Sequence, residues 1–140
     1  AIGLVMTLLS RFVLLSNIDP AKMVVVLVAG HALSRLNAVI LIFTSSYVRE
    51  DASSKSKPIG EKHNSATLVL ALIFGLIPLI LLPWKSSAFI ILALLFTLFF
   101  FRRYIHKIMG GYTGDMLGAL QQISELVFYL VYLMSFSIFR

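Results

Sequence analysis

A chain of 140 residues with 59% hydrophobic and only 13% charged side chains falls far from the roughly 25% charged residues of a soluble domain. Its mean hydropathy of +0.96 places it with multi-span membrane proteins. Cysteine is absent, which excludes a disulfide framework and a thiolate metal site. The formal net charge is +6, but the basic residues cluster between apolar runs, where they report orientation in a bilayer rather than a nucleic-acid partner.

A hydrocarbon core about 30 Å thick needs about 20 apolar residues per helix, and five segments approach that length. The first, residues 1–17, is slightly short and contains Arg11. It opens inside an apolar run without an initiator Met or the charged n-region of a signal peptide, so a preceding segment is expected. Asn17-Ile-Asp-Pro20 then reads as a helix stop followed by a start. The second span covers residues 22–47, and a polar, Ser- and Lys-rich loop follows to Asn64. In the third, residues 65–82, Gly75 and Pro78 predict a kink. Pro83-Trp84-Lys85 is a tight turn with an interfacial aromatic. The fourth span is residues 86–101, and the fifth runs from near Thr113 to about Phe139. The expectation is one all-α domain over residues 1–140, a polytopic membrane bundle of about five transmembrane helices.

Loop charges orient this bundle. Arg49, Lys55, Lys57 and Lys62 follow the second span, and Arg102, Arg103 and Lys107 follow the fourth, whereas the other side holds Lys22, Lys85 and Arg140. The positive-inside rule therefore puts residues 48–64 and 102–112 in the cytoplasm. The expected location is the inner (plasma) membrane, multi-pass, with a cytoplasmic active face.

The start of the fifth span carries the most chemistry: Gly-Gly-Tyr-Thr-Gly-Asp-Met-Leu-Gly-Ala at residues 110–119. At 100° per residue, Asp115, Gly118, Gln122, Glu125, Tyr129 and Tyr132 share an arc of about 100°. Such a polar stripe must face a bundle interior or a water-filled cleft. Thr113 can cap the helix, and Asp115 sits in its first turn, where a carboxylate complements the helix dipole. Two readings stand. In one, Asp115 only caps and Gln122 and Glu125 bond between helices. In the other, Gly110, Gly111 and Gly114 let backbone amides approach a phosphate, while Asp115 and Glu125 help hold a divalent cation such as Mg²⁺.

In the second span His31, Ser34 and Arg35 lie at i, i+3 and i+4 on one face, with Ser45 and Ser46 further along. An Arg in mid-span either pairs with a carboxylate, Asp115 or Glu125, or grips a substrate phosphate. Arg11 either snorkels or pairs. His106 and His63 read as solvated surface. The Arg102, Arg103, His106 and Lys107 cluster reads as topology and headgroup contact, or as guidance for a polyanionic substrate. Residues 96–101, rich in Phe, read as lipid-facing or packing surface.

The 110–119 motif, followed by Glu125-Leu-Val-Phe, resembles the C-terminal signature of the cobalamin synthase family, the adenosylcobinamide-GDP ribazoletransferases. The likeness extends to His31-Ala-Leu-Ser-Arg35 and to the spacing of apolar helices. It implies attack by a hydroxyl of α-ribazole, or of its 5′-phosphate, on adenosylcobinamide-GDP, with Mg²⁺ and release of GMP. It further implies Asp115 and Glu125 as catalytic and metal-positioning residues. Arg35, His31, Ser34, Thr113, Gln122 and the glycines 110, 111 and 114 would bind substrate. Family members usually carry an upstream Asp-Gly-Leu-Ala-Asp-Thr-x-Asp-Gly motif that this chain lacks, and often Glu in place of Gln122. The chain thus resembles the C-terminal half of a member, to be completed by an N-terminal half or a partner chain, with a homo-oligomer as a further expected partner. The competing expectations are an ion-coupled transporter with Arg35 and Asp115 as a gating pair, and a non-catalytic scaffold.

Overall fold

The computed structural model describes residues 1–48 and 64–139; the loop basics Arg49, Lys55, Lys57 and Lys62, and His63, lie outside the described residues. The architecture is all-α. Helix α1 is Ile2–Ser16, a 3₁₀ turn at Pro20–Lys22 leads into α2, Met23–Thr44, and α3 is Ser65–Leu76 with a 3₁₀ extension at Ile77–Leu81. Helices α4, Trp84–Met109, and α5, Gly114–Ile138, complete the bundle. Among the described residues, three helical stretches are long and apolar enough to cross a membrane: Pro20–Thr44, Trp84–Met109 and Gly114–Ile138. The α1 segment and the Ser65–Leu81 segment are apolar but shorter.

Local sequence explains the boundaries. The Asp19 side chain accepts from the Ala21 amide at 3.1 Å, and Asn64 does the same for Ala66 at 3.1 Å, so both starts are capped by a short polar side chain. Pro78 has no amide to continue the α ladder; α3 stops at Leu76 and tightens into a 3₁₀ turn instead of bending as one kinked helix. Helix α4 continues to Met109, which corrects the expected loop at 102–109: Arg102, Arg103, His106 and Lys107 occupy its last turns. Cations there favour the C-terminal end of the helix dipole, and Gly110, with φ of 77°, ends the helix in a left-handed cap.

The core lies where α2 and α5 cross, with α4 and α3 flanking them. Val26, Ala29, Leu33, Ile90, Phe128 and Tyr129 are buried there. Asn37 of α2 donates through Nδ2 to the Leu94 carbonyl of α4 at 3.1 Å and to Ser124 Oγ of α5 at 3.0 Å. One amide thus ties three helices at a depth where an unmet polar group costs several kcal/mol. Outward faces are apolar, Phe96, Phe99 and Phe100 among them.

Basic groups mark the two ends. Lys22 lies 4.5 Å from the Phe136 ring centroid and Lys85 lies 5.3 Å from that of Phe139, both beside the end of α5. Arg102 donates to the Thr44 carbonyl at 2.8 Å at the opposite end. From Lys85 to Arg102 the axial rise is about 26 Å, close to one hydrocarbon thickness.

Helix α1 has no buried residue. Beyond the partly buried Leu14 and Leu15, its attachment is ionic, with Arg11 paired to Glu125 of α5. A second fastening sits at the α4–α5 turn. Ser46 and Val48 run beside it in a parallel bridge, Tyr112 N–H to Ser46 O and Val48 N–H to Tyr112 O, both 2.9 Å. A Cβ on Gly111 would stand 2.2 Å from Ser46 O and 2.6 Å from Val48 Cγ2, so only glycine admits this approach.

Two predictions follow from these fastenings. Arg11→Ala leaves a buried carboxylate without its counter-charge and is expected to cost about 3–5 kcal/mol in reversible unfolding in detergent. Glu125→Gln is expected to cost less, because Arg11 is 25% exposed and turns outward; equal losses would contradict this account. Gly111→Ala is expected to destabilise by about 1–3 kcal/mol, while Gly118→Ala, with nothing within 4 Å of the added carbon, is neutral or stabilising.

Candidate functional site

Helix α5 begins where the fold needs it to. Thr113 Oγ1 accepts from the Met116 amide at 3.4 Å, and Asp115 lies in the first turn, as the sequence leads one to expect. The polar stripe then divides by depth. Asp115 and Gly118 are exposed and Gln122 is half-buried, whereas Ser124, Glu125, Tyr129 and Tyr132 are buried. The stripe therefore faces the bundle interior only in its second half.

Glu125 is the centre of the buried half, at 1% exposure. Arg11 meets one carboxylate oxygen. The Tyr129 hydroxyl donates to the other at 2.7 Å, and His31 Nδ1 stands 3.4 Å from that same oxygen. Three helices converge on one carboxylate about 16 Å along α5 from its start. Charge at such depth survives only when paired and hydrogen-bonded.

The structure brings His31 to Glu125 but sends its neighbours elsewhere. Ser34 is buried and donates to the His31 carbonyl at 3.0 Å, so it turns back on its own helix. Arg35 is exposed, and among the described residues the ion pairs involve Arg11, His31 and Glu125, not Arg35 or Asp115. Glu125 is therefore not the partner of Arg35; Arg11, from the first helix, holds that place. Asp115 and Glu125 are about 15 Å apart along the helix axis, too far to ligate one ion together. Among the described residues no group of three or more His, Asp or Glu side chains converges on a common point.

The glycine turn is shaped mainly by the chain itself. Gly110 ends α4, Gly111 receives the Ser46 backbone, and the Tyr112 amide is already donated. Gly114 stays open, with nothing within 4 Å of an added carbon. Tyr112 is buried here and faces Tyr47 edge-on at 5.5 Å between centroids; burial, with a smaller contribution from Tyr47, raises its hydroxyl pKa above the ordinary 10.0. Ser45 leaves the α2 face and meets Arg102 Nε at 3.4 Å and His106 Nε2 at 2.9 Å, so His106 has a partner as well as solvent. The Tyr47–Tyr112 bridge and the Asn37 node escape a reading of the sequence, since both depend on contacts between distant segments.

The polar positions left exposed or half-buried thus comprise Arg35, His31, Gln122, Asp115 and Gly114, with His31 level with a Glu125 whose charge is met from within and Asp115 and Gly114 at the start of α5. Comparisons give this set its context. Residues 1–133 match the family described as cobalamin-5-phosphate synthase. The chain is 41% identical over 136 residues to a protein of Shewanella piezotolerans named adenosylcobinamide-GDP ribazoletransferase, covering 95% of this chain and 52% of that protein. A relative of the same name from Shewanella woodyi is 40% identical over 141 residues, 99% of this chain and 54% of its own length. One from Vibrio parahaemolyticus is 38% identical over 131 residues, 93% and 49% respectively. The chain therefore spans about half the length of these relatives. No solved structure matches it. By the extent of the family match, this chain belongs to the cobalamin-5-phosphate synthase family.

Proposed function

We propose that this chain contributes the phosphate-binding face of an adenosylcobinamide-GDP ribazoletransferase acting at the cytoplasmic side of the inner membrane. The observation that carries the reading, beyond family membership, is the division of charge. Arg11 satisfies Glu125, and Arg35 remains exposed with no carboxylate paired to it among the described residues. An arginine in a membrane-embedded helix without a protein counter-ion is matched to an anionic ligand.

The implied reaction is transfer at phosphorus. A hydroxyl of α-ribazole, or of its 5′-phosphate, forms a P–O bond to the corrinoid-side phosphorus of adenosylcobinamide-GDP. The bond from that phosphorus to the bridging oxygen breaks, GMP departs with the electron pair, and the hydroxyl proton passes to a base. In this reading Arg35 offsets charge on the pyrophosphate, and His31, one turn away on the same helix face and half-exposed, lies beside it. Glu125 is a positioning residue that fixes α1, α2 and Tyr129 around that face. Thr113 and Gly114 set the start of α5, and Gln122 borders the accessible set.

The Mg²⁺ expected from the resemblance fits these residues only in part. Asp115 offers one exposed carboxylate, Glu125 is taken by Arg11, and the described residues hold no three-residue cluster. Its remaining ligands would come from residues beyond this set. The cytoplasmic assignment rests on the Arg102, Arg103 and Lys107 end. Nothing in the comparisons favours a transporter, and Arg35 and Asp115 form no gating pair.

The test is GMP release by membranes carrying the complete enzyme of which this chain is the C-terminal part in the proposed reading. Arg35→Ala is expected to slow it by about 10- to 100-fold, the loss of a charged hydrogen bond worth about 1.5–3 kcal/mol, with Arg35→Lys retaining part of the rate. Asp115→Asn is expected to lower turnover by orders of magnitude with membrane insertion unchanged. Near-normal turnover in either variant removes that residue from the site.

A further inference from the structure

A groove of about 490 Å³ runs down the outside of the bundle between α2 and α4, and the proposed transferase site makes no use of it. Ile40 supplies one wall, and Leu92, Leu95, Phe96, Phe99 and Arg102 line the other. These α4 positions follow i, i+3, i+4, i+7 and i+10, one continuous stripe on a helix. An apolar wall therefore ends in a single guanidinium. From Leu92 to Arg102 the rise is about 15 Å, the depth of one leaflet of a 30 Å hydrocarbon core.

Arg102 is held at the mouth of that groove, not sweeping across it. Its Nη2 donates to the Thr44 carbonyl at 2.8 Å and its Nε to Ser45 Oγ at 3.4 Å. His106 Nε2 meets the same Ser45 oxygen at 2.9 Å, so the two side chains share one rim. An arginine carries five N–H donors, and the remaining ones, on an exposed side chain, are free to take an oxyanion. Arg103 and Lys107, both exposed, add positive field at the same end of α4.

We infer that this groove seats one acyl chain of an anionic phospholipid, with the lipid phosphate on Arg102 at the rim shared with His106. Charge complementarity selects the occupant: a zwitterionic lipid fills the apolar wall equally well but brings its own cation to a cationic rim. The held guanidinium also lowers the ordering cost of binding.

The experiment is native mass spectrometry of the full chain, delipidated in neutral detergent and titrated with phosphatidylglycerol or phosphatidylcholine of identical acyl chains. Phosphatidylglycerol adducts are expected at roughly five-fold lower lipid concentration, the equivalent of about 1 kcal/mol for one basic residue at an anionic surface. Arg102→Gln is expected to erase that preference and Arg102→Lys to keep most of it. Leu95→Trp, which fills the groove and leaves the charge in place, is expected to weaken phosphatidylglycerol binding, and Lys85→Gln, at the other end of α4, to leave it unchanged. Circular dichroism verifies that each variant remains helical. Equal retention of the two lipids, no effect of Arg102→Gln or Leu95→Trp, or displacement of the lipid by glycerol phosphate alone would overturn the assignment.

Discussion

A carboxylate about 16 Å along a membrane-spanning helix is the constraint from which much of this architecture follows. Glu125 costs several kcal/mol to insert unless it is matched, and what matches it comes from three directions: Arg11 on α1, His31 on α2 and Tyr129 on α5 itself. Satisfying the acid therefore assembles the helices. Helix α1, which buries no residue of its own, owes its place to this pair more than to packing. Hydrocarbon gives apolar helices little reason to prefer one another over lipid, so polar contacts such as Arg11–Glu125 and Asn37–Ser124 select the arrangement that apolar surface alone leaves undetermined.

Much of this fold is legible in the sequence. The apolar segments appear as helices at the expected places, Thr113 caps α5, and Asp115 lies in its first turn. These features are local: hydrophobic run length, a hydroxyl before a helix, a carboxylate near a dipole. Helix length past the membrane is less legible, because Arg102, Arg103, His106 and Lys107 are good helix formers or favourable at a helix C-terminus, and composition marks where the bilayer ends and not where the helix does. The Gly75–Pro78 signal correctly marks an interruption, but its form, a 3₁₀ turn, depends on how the following chain packs.

Pairing between helices is the least legible part. Glu125 has three basic candidates in the sequence, Arg11, His31 and Arg35, and spacing within one helix says nothing about which neighbour approaches. His31 and Arg35 share a helix face at i, i+4, yet one faces Glu125 and the other lies exposed without it. Gly111 shows the same limit from another direction. A glycine beside an αL glycine reads as a phosphate-binding turn, whereas here the atoms that crowd it belong to Ser46 and Val48 of the same chain. Sequence identifies that a close approach occurs and leaves the approaching group open.

The two acids of α5 illustrate how depth assigns roles to identical chemistry. Asp115 and Glu125 lie on one stripe, but about 15 Å of helix separates a solvated end from a buried interior. At the interior position an unmatched charge is intolerable, so the protein supplies the counter-ion and the group becomes a fixed part of the scaffold. At the helix start the dipole already favours a carboxylate, water completes its shell, and no internal cation is needed. The same logic separates the arginines: Arg11 is committed to Glu125, while Arg35 and Arg102 stay exposed. Exposed guanidinium donors that no carboxylate meets among the described residues are the ones proposed to take anions from outside, a substrate phosphate beside α2 and a lipid phosphate beside α4.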